Sequence, residues 1–321
     1  MIRLVCNVRS RRNARRPGDI DRLRAALDGH GVVHTTGSLD DLDRTAAELA
    51  RACDPRRDVI AIYGGDGTLH HTASALLRHY RSTQLPVIAI LPGGNLNTVA
   101  RGLGLRRDRD AALRTLRWLV STSNTDAIPV TRRPLVRIGN RYGFIFGNNI
   151  FYNFLAAYYR ARNPQKWTAA RLIVQLSASS IVGGALSRRV LAPFRGRVAC
   201  DGEVYPHDHY LTVAASSVPE AGNGFRLFPH AVDGADKLAT VAIHTTALGL
   251  TLELPRIYLG AVQSPARCVS TVAREIRIES EAPVGYTLDG ELYVDGPVVA
   301  VSAGPQLAIA CPPGRLAGAA P

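Results

Sequence analysis

Over the first third of the chain, short apolar runs alternate with stretches whose apolar residues recur every three or four positions. Residues 2–8 form one such run and predict a buried strand. Residues 19–30 carry Ile20, Leu23 and Leu27 at helical spacing, and a short strand follows over 32–36. A helix is predicted over 40–52 with Leu42, Ala46, Leu49 and Ala50 inward. Residues 59–63 read as a strand ending at Gly64, and 68–80 as a helix bearing Leu69, Ala73, Leu76 and Leu77. The next strand, 87–91, runs into Pro92-Gly93-Gly94. Strands that are apolar along their length, alternating with amphipathic helices, predict a parallel sheet covered on both faces.

From residue 124 the pattern changes. Strand-like runs dominate, at 135–138, 142–146, 198–204, 210–215, 238–244, 275–280, 298–302 and 307–311. Turn signals such as Asp201-Gly202 and Asp289-Gly290 punctuate them. Two helical segments interrupt, over roughly 152–186 and 248–259. The expected architecture is an α/β domain over 1–123 and a β-rich domain, an antiparallel sandwich, over 124–321, with the last residues returning to the first domain. A chain of 321 residues fits two cores better than one.

Composition adds a bias in charge. The net charge is +13, and nearly all of the basic residues are Arg. Such a chain is drawn to polyanions: nucleotides, nucleic acid or an anionic membrane face. Cys6, Cys53, Cys200, Cys268 and Cys311 are odd in number and scattered, with no C-x-x-C pair, so neither a zinc site nor a disulfide framework is expected. Met1 to Val5 lead straight into a strand-like run without the order of a signal peptide, and no apolar stretch is long enough for a transmembrane helix. The expectation is a cytoplasmic protein that meets the inner face of the cell membrane, if at all, from the side.

Three segments carry chemistry. In Tyr63-Gly64-Gly65-Asp66-Gly67-Thr68-Leu69, glycines sit between a strand and a helix, where backbone N–H groups and the helix dipole can face phosphate. Asp66, placed among phosphates, is the candidate Mg²⁺ ligand. Alone, such a turn could equally be a tight ligand-free connection. A second glycine turn, Leu91-Pro92-Gly93-Gly94-Asn95-Leu96-Asn97-Thr98, falls at the same carboxyl edge of the sheet, where open α/β sheets bind ligands. The third segment is Leu288-Asp289-Gly290-Glu291, which by itself reads as an ordinary β-turn.

Together, G-G-D-G-T, then L-P-G-G-N-L-N-T-V-A-R, then a late D-G-E resemble the diacylglycerol kinase catalytic domain family, which includes sphingosine, ceramide and bacterial soluble lipid kinases. The resemblance spans nearly the whole chain. It implies a lipid kinase that moves the γ-phosphate of ATP, with Mg²⁺, onto a lipid hydroxyl in a cleft between an α/β domain and a β-rich domain. It implies nucleotide contacts at Asn7, Arg9, Ser10, Thr36, Gly64, Gly65, Asp66, Gly67, Thr68, Gly93, Gly94, Asn95 and Asn97. Asp289 matches the family's catalytic acid motif as the base, with Glu291 as alternative or orienting group.

The departures from the family pattern fall on nucleotide and metal positions. Asn7-Val8-Arg9-Ser10-Arg11 replaces N-P-x-S-G, and His70-His71 replaces Asn-Glu. An acidic segment that helps hold a structural Mg²⁺ in relatives is reduced to Gly234-Ala235-Asp236-Lys237. Adjacent histidines on a helix point about 100° apart and make poor joint ligands. Three alternatives stay open: an NAD kinase-like enzyme, a non-catalytic nucleotide- or lipid-binding relative, and a nucleic-acid binder. The last is suggested by charge alone and is not expected. Residues 151–200 lack Asp and Glu and mix Arg160, Arg162, Lys166 and Arg171 with aromatic and aliphatic residues. That mixture suits a helix lying on an anionic bilayer, or a hairpin packed on the β-domain with its arginines in water. A membrane lipid is the expected partner. A homodimer is left open, and the acceptor lipid is not specified.

Overall fold

The computed structural model describes residues 1–16, 18–80, 85–94, 96–105, 108, 110–122, 124–161, 166–232 and 234–313. The chain divides into two compact units: Met1–Arg133 together with the chain from Pro305 onward, and Pro134–Gly304.

The first unit opens with β1 (Ile2–Asn7), α1 (Arg11–Arg15), α2 (Gly18–Ala26), β2 (Gly31–Thr36) and α3 (Leu39–Ala52). It continues with β3 (Val59–Gly64), α4 (Asp66–His79), β4 (Val87–Pro92), α5 (Thr98–Gly102) and α6 (Ala111–Ser121). The four strands are parallel in the order β4-β3-β1-β2. Helices α2 and α6 pack together, and so do α3 and α4. On the α2/α6 face, Leu4, Cys6, Ala61, Tyr63 and Leu91 join Leu23, Leu27 and Leu116 in one core. The two-residue repeat sends Val5, Ile60 and Ile62 the other way, which is why these strands are apolar throughout. Ser38 starts α3 by accepting the Asp41 N–H at 3.1 Å. Helix α4 begins at Asp66, two residues before the sequence pattern places it.

The second unit starts within β5 (Val130–Ile138), followed by β6 (Arg141–Gly143), β7 (Ile145–Asn148), α7 (Ile150–Tyr159), α8 (Lys166–Ile181) and α9 (Ala185–Val190). Then come β8 (Phe194–Cys200), β9 (Glu203–Val204), β10 (His209–Tyr210), β11 (Thr212–Ser216), β12 (Leu238–Ile243) and α10 (Ala247–Leu259). The chain closes with β13 (Cys268–Ala273), β14 (Glu275–Ser280), β15 (Val284–Leu288), β16 (Glu291–Asp295) and β17 (Val298–Ala310). One sheet is antiparallel, in the order β13-β12-β11-β7-β15-β16. A second contains β10, β8, β14 and the first half of β17. Val198, Ile276, Ile278, Val299 and Val301 of that sheet share a core with Phe146, Val213, Leu238, Tyr286 and Leu288 of the other. This is the expected sandwich.

Several expected elements are divided or joined. The 198–204 run is two strands folded back at Asp201-Gly202. The runs at 298–302 and 307–311 are one long strand: its first half pairs with β14, while Ile309 lies beside Ile88 of β4. Strands β13, β15 and β16 and helices α5 and α6 add to the sequence reading. Strands β13 and β16 are half-buried, so their side chains dilute the apolar signal.

Candidate functional site

In the first unit the strand ends line up. Asn7 pairs in register with Thr36, Cys6 with Tyr63, and Gly64 with Pro92. The chain leaves β1 toward β2 on one side and leaves β3 toward β4 on the other. The carboxyl ends of β1 and β3 therefore flank the point where the winding reverses, the usual ligand crevice of such sheets. Asn7 bridges it: its Nδ2 donates to Thr68 Oγ1 at 3.2 Å, and its Oδ1 accepts the Arg9 N–H at 2.9 Å. Asn13 Nδ2 donates to the Asn7 carbonyl at 2.7 Å, a support that the sequence reading did not include. Ser10 caps α1, and Arg9 is exposed. Thr36 is buried with its hydroxyl toward the Cys6 carbonyl.

The glycines have a reason of their own. A Cβ on Gly94 would stand 2.5 Å from Gly65 Cα, and one on Gly64 would stand 2.5 Å from the Thr68 side chain. One on Gly93 would meet the Tyr63 ring at 2.9 Å. Gly93 N–H donates to the Gly64 carbonyl at 2.7 Å. The two glycine turns thus lie against one another, and the absent side chains are what lets them touch. Gly65, Asp66, Gly67 and Thr68 form the start of α4, where first-turn N–H groups lack helical acceptors and can take an anion.

Asp66 links the turns. Its Oδ2 accepts the Thr98 N–H at 2.9 Å and its Oδ1 the Val99 N–H at 3.1 Å, so it holds the start of α5. Burial raises its pKa above the usual carboxylate value, against the opposing pull of those two amides and of Arg101. Asn97 has a left-handed backbone, φ +47°. Its side chain closes the second turn on itself, accepting the Gly94 N–H at 2.9 Å and donating to the Gly94 carbonyl at 2.8 Å. Asn95 lies outside the described residues. Between the turns, Gly64, Gly65, Asp66 and Asn97 line a cavity of about 10 Å³, room for one water.

Among the described residues no three His, Cys, Asp or Glu side chains converge on a metal position. His70 and His71 sit edge to face, 4.8 Å between ring centroids. Asp236 pairs with Arg274, and Lys237 lies 3.2 Å from Asp201. These residues build no cage for a resident ion. The sequence reading's Mg²⁺ candidate, Asp66, stands alone as a carboxylate among the described residues of the two turns, and both of its oxygens accept amides of α5.

In the second unit, Asp289 and Gly290 both have positive φ, +51° and +93°, the two-residue turn that joins β15 to β16 with Leu288 opposite Glu291. Asp289 is buried and takes the Phe144 N–H on both oxygens at 3.0 Å and the Ile145 N–H on Oδ1 at 2.9 Å. A Cβ on Gly143 would stand 2.6 Å from Asp289 Oδ2, so that glycine makes room for the carboxylate. Tyr159, at the end of α7, donates to the Gly290 carbonyl at 2.9 Å. Glu291 is half-exposed. The sequence holds a second D-G-E, Asp201-Gly202-Glu203, at the turn already marked by Asp201-Gly202. It makes the same turn, with φ +49° and +86°, and Cys200 lies opposite Glu203. Asp201 Oδ1 likewise takes two consecutive amides, Arg274 at 2.7 Å and Glu275 at 2.9 Å.

Comparison with known proteins agrees with this arrangement. Residues 2–128 match the family model of the diacylglycerol kinase catalytic domain, and residues 163–316 that of the YegS C-terminal NAD kinase beta sandwich-like domain. A protein of Stenotrophomonas maltophilia (strain K279a) named "Probable lipid kinase YegS-like" is 27% identical over 98% of this chain and 94% of its own length. Two solved structures from Bacillus anthracis str. Sterne share the fold at 16% identity. A diacylglycerol kinase matches with a TM-score of 0.67 over 98% of both chains, and a putative diacylglycerol kinase with 0.71, again over 98% of both. The chain belongs to the lipid kinase family that joins a diacylglycerol kinase catalytic domain to a YegS-like β-sandwich domain.

Proposed function

We propose that this protein transfers the γ-phosphate of Mg²⁺-bound ATP to the hydroxyl of a membrane lipid of diacylglycerol or sphingoid type. The observation that carries this reading is the pair of touching glycine turns at the switch point of the first unit, with the unfilled amides of α4 beside them. Among the described residues of that unit nothing else is so suited to a polyphosphate. Asn7, Thr68 and the turn Gly93-Gly94-Asn97 hold the cradle in shape, and Arg9, exposed beside it, supplies charge to the phosphates.

In the second unit the work is divided. Asp289 is committed to the Phe144 and Ile145 amides, which makes it the residue that fixes the hairpin. Glu291, half-exposed one residue past the turn, is the better placed group to accept a hydrogen bond from the lipid hydroxyl. Phosphoryl transfer asks little of a base and much of positioning, so both roles matter. The test is transfer of label from γ-labelled ATP to lipid extract in mixed micelles. Wild type should label a lipid. Glu291→Gln should lose activity and keep its melting temperature, whereas Asp289→Asn should lose both. No labelled lipid from wild type, with nucleotide still bound, would overturn the reading in favour of a binding protein.

A further inference from the structure

Helix α8 turns large apolar side chains outward. Its buried positions are Ala169, Leu176 and Ser180, with Leu172 and Ile173 half-buried, while Trp167, Arg171, Val174, Ala178 and Ile181, spaced three or four residues apart, are exposed together with Ala170 and Gln175. Trp167 is 62% exposed, Val174 67% and Ile181 66%. Helix α10, which packs beside α8, does the same. Its inner stripe is Gly249, Glu253 and Ile257, and Glu253 is bound inside by Arg267 at 2.7 Å. Its outer stripe is Leu248, Leu252, Arg256 and Leu259, with Leu252 57% and Leu259 77% exposed. A helix that ends at water puts its polar stripe outward. Two neighbouring helices that do the reverse mark a surface with something to cover it.

The charges say what covers it. From residue 127 to residue 200 there is no Asp or Glu, and every ionised side chain is basic. Each outer stripe carries one arginine among large aliphatic groups, and Trp167 stands in the first turn of α8. Arginine stems lie along apolar surface while the head group reaches water or phosphate. Tryptophan favours the level of lipid head groups. A protein partner with an apolar groove would not need the absence of acid across this length of chain, but an anionic bilayer repels every carboxylate brought near it.

We infer that the outer stripes of α8 and α10 dock this protein on an anionic bilayer, with Trp167, Val174, Ile181, Leu252 and Leu259 entering the acyl boundary and Arg171 meeting lipid phosphates. No helix among the described residues is long and apolar enough to span the membrane, so the contact is one of helices lying on the surface. The inference takes its purpose from the lipid-kinase reading, but its observations are separate.

The test is sedimentation of the full chain with phosphatidylcholine vesicles and with mixed phosphatidylcholine/phosphatidylglycerol vesicles, without nucleotide. Binding is expected on the anionic vesicles and should weaken with salt. The pair Val174→Asp and Leu252→Asp should weaken it by at least tenfold for each side chain, on the order expected for an apolar group kept out of lipid. The milder pair Val174→Ser and Leu252→Ser should weaken it in the same direction without adding charge. In a Trp118→Phe background, Trp167 fluorescence should shift to the blue on binding. Unchanged binding by both pairs, or no wild-type binding to anionic vesicles, overturns the inference. So does a dimer on gel filtration that the Asp pair dissociates while vesicle binding stays the same. If the Asp pair still phosphorylates a water-dispersed short-chain acceptor but no longer binds vesicles, docking is supported apart from catalysis. Vesicle binding by a protein that labels no lipid would sink the kinase reading alone.

Discussion

The two Asp-Gly-Glu hairpins of the second unit have the same sequence, the same left-handed backbone and the same use of the aspartate, yet different surroundings. Asp289 is buried and grips the Phe144 and Ile145 amides. Asp201 grips Arg274 and Glu275 from an exposed edge, with Lys237 beside it. Two positive φ values favour Asp-Gly in either place, because the turn needs a residue that tolerates them and a glycine. The carboxylate then ties the turn to a neighbouring strand. The motif is therefore first a way of building a hairpin, and what distinguishes the late copy is where it is set. It abuts Gly143, it is roofed by Tyr159 of α7, and it has Glu291 half-exposed beyond it.

Truncation separates the copies most strongly. Asp289→Ala leaves two buried N–H groups without their acceptor, at about 1–3 kcal/mol each, so a loss of about 2–5 kcal/mol is expected in urea unfolding. Asp201→Ala should cost about 1 kcal/mol, since water can reach the exposed Arg274 and Glu275 amides. Asp201→Ala should also leave lipid labelling intact. Equal losses of stability would break the contrast of burial, and lost labelling in the Asp201 variant would break the contrast of function.

Titration gives a smaller separation, and its sign can be worked out. Burial pushes the Asp201 carboxyl up, but the Glu275 and Arg274 amides and Lys237 outweigh it and leave its pKa below 3.8. A carboxyl lowered on folding adds stability above 3.8, and that stability fades as pH falls through the folded value. Wild type should therefore lose its advantage over Asp201→Asn on acidification. Asp66 makes the same two-amide clasp but is raised by burial. Its ionisation costs stability as pH climbs from 3.8 through the folded value, so the difference between wild type and Asp66→Asn should shrink in that direction. Parallel pH profiles for the two variants would show that the clasp, not its burial, sets the sign.

The parallel sheet was plain in the sequence because its strands are buried on both faces and read as unbroken apolar runs. Its glycine turns stood out for the same reason, flanked by Val59–Gly64 and Val87–Pro92. The purpose of those glycines was not visible. Sequence reading assigns them to phosphate, but the contact that forbids a Cβ on Gly94 is Gly65 of the other turn, 29 residues away in the chain. The partners of Asp66 and Asp289 were hidden similarly. Both are backbone amides, at Thr98, Val99, Phe144 and Ile145, and an amide carries no signature in the side-chain sequence. Both Asp-Gly pairs read as turns in the sequence, but the clasp of each aspartate on two amides of a neighbouring segment did not. Strand β16 escaped because an edge strand with half-exposed side chains shows no clean alternation.

The finest distinction between the hairpins is Tyr159. Its hydroxyl donates to the carbonyl of Gly290, so the late turn is held from α7 as well as by its own aspartate. The side chain is 44% exposed, and water can replace the bond when it is removed. Tyr159→Phe should therefore cost no more than about 0.5–1 kcal/mol of stability, the low end for an intramolecular hydrogen bond. If Glu291 meets the acceptor, loosening the residue before it should act on turnover more than on global folding. The expected result is a few-fold fall in kcat for lipid phosphorylation with nucleotide affinity unchanged. Tyr159→Ala, which also removes the ring packed against Tyr158, should go further in the same direction. A Phe variant that melts several degrees lower while turning over normally would make Tyr159 a support of the fold and leave the burial of Asp289 and the setting of Glu291 to set this hairpin apart.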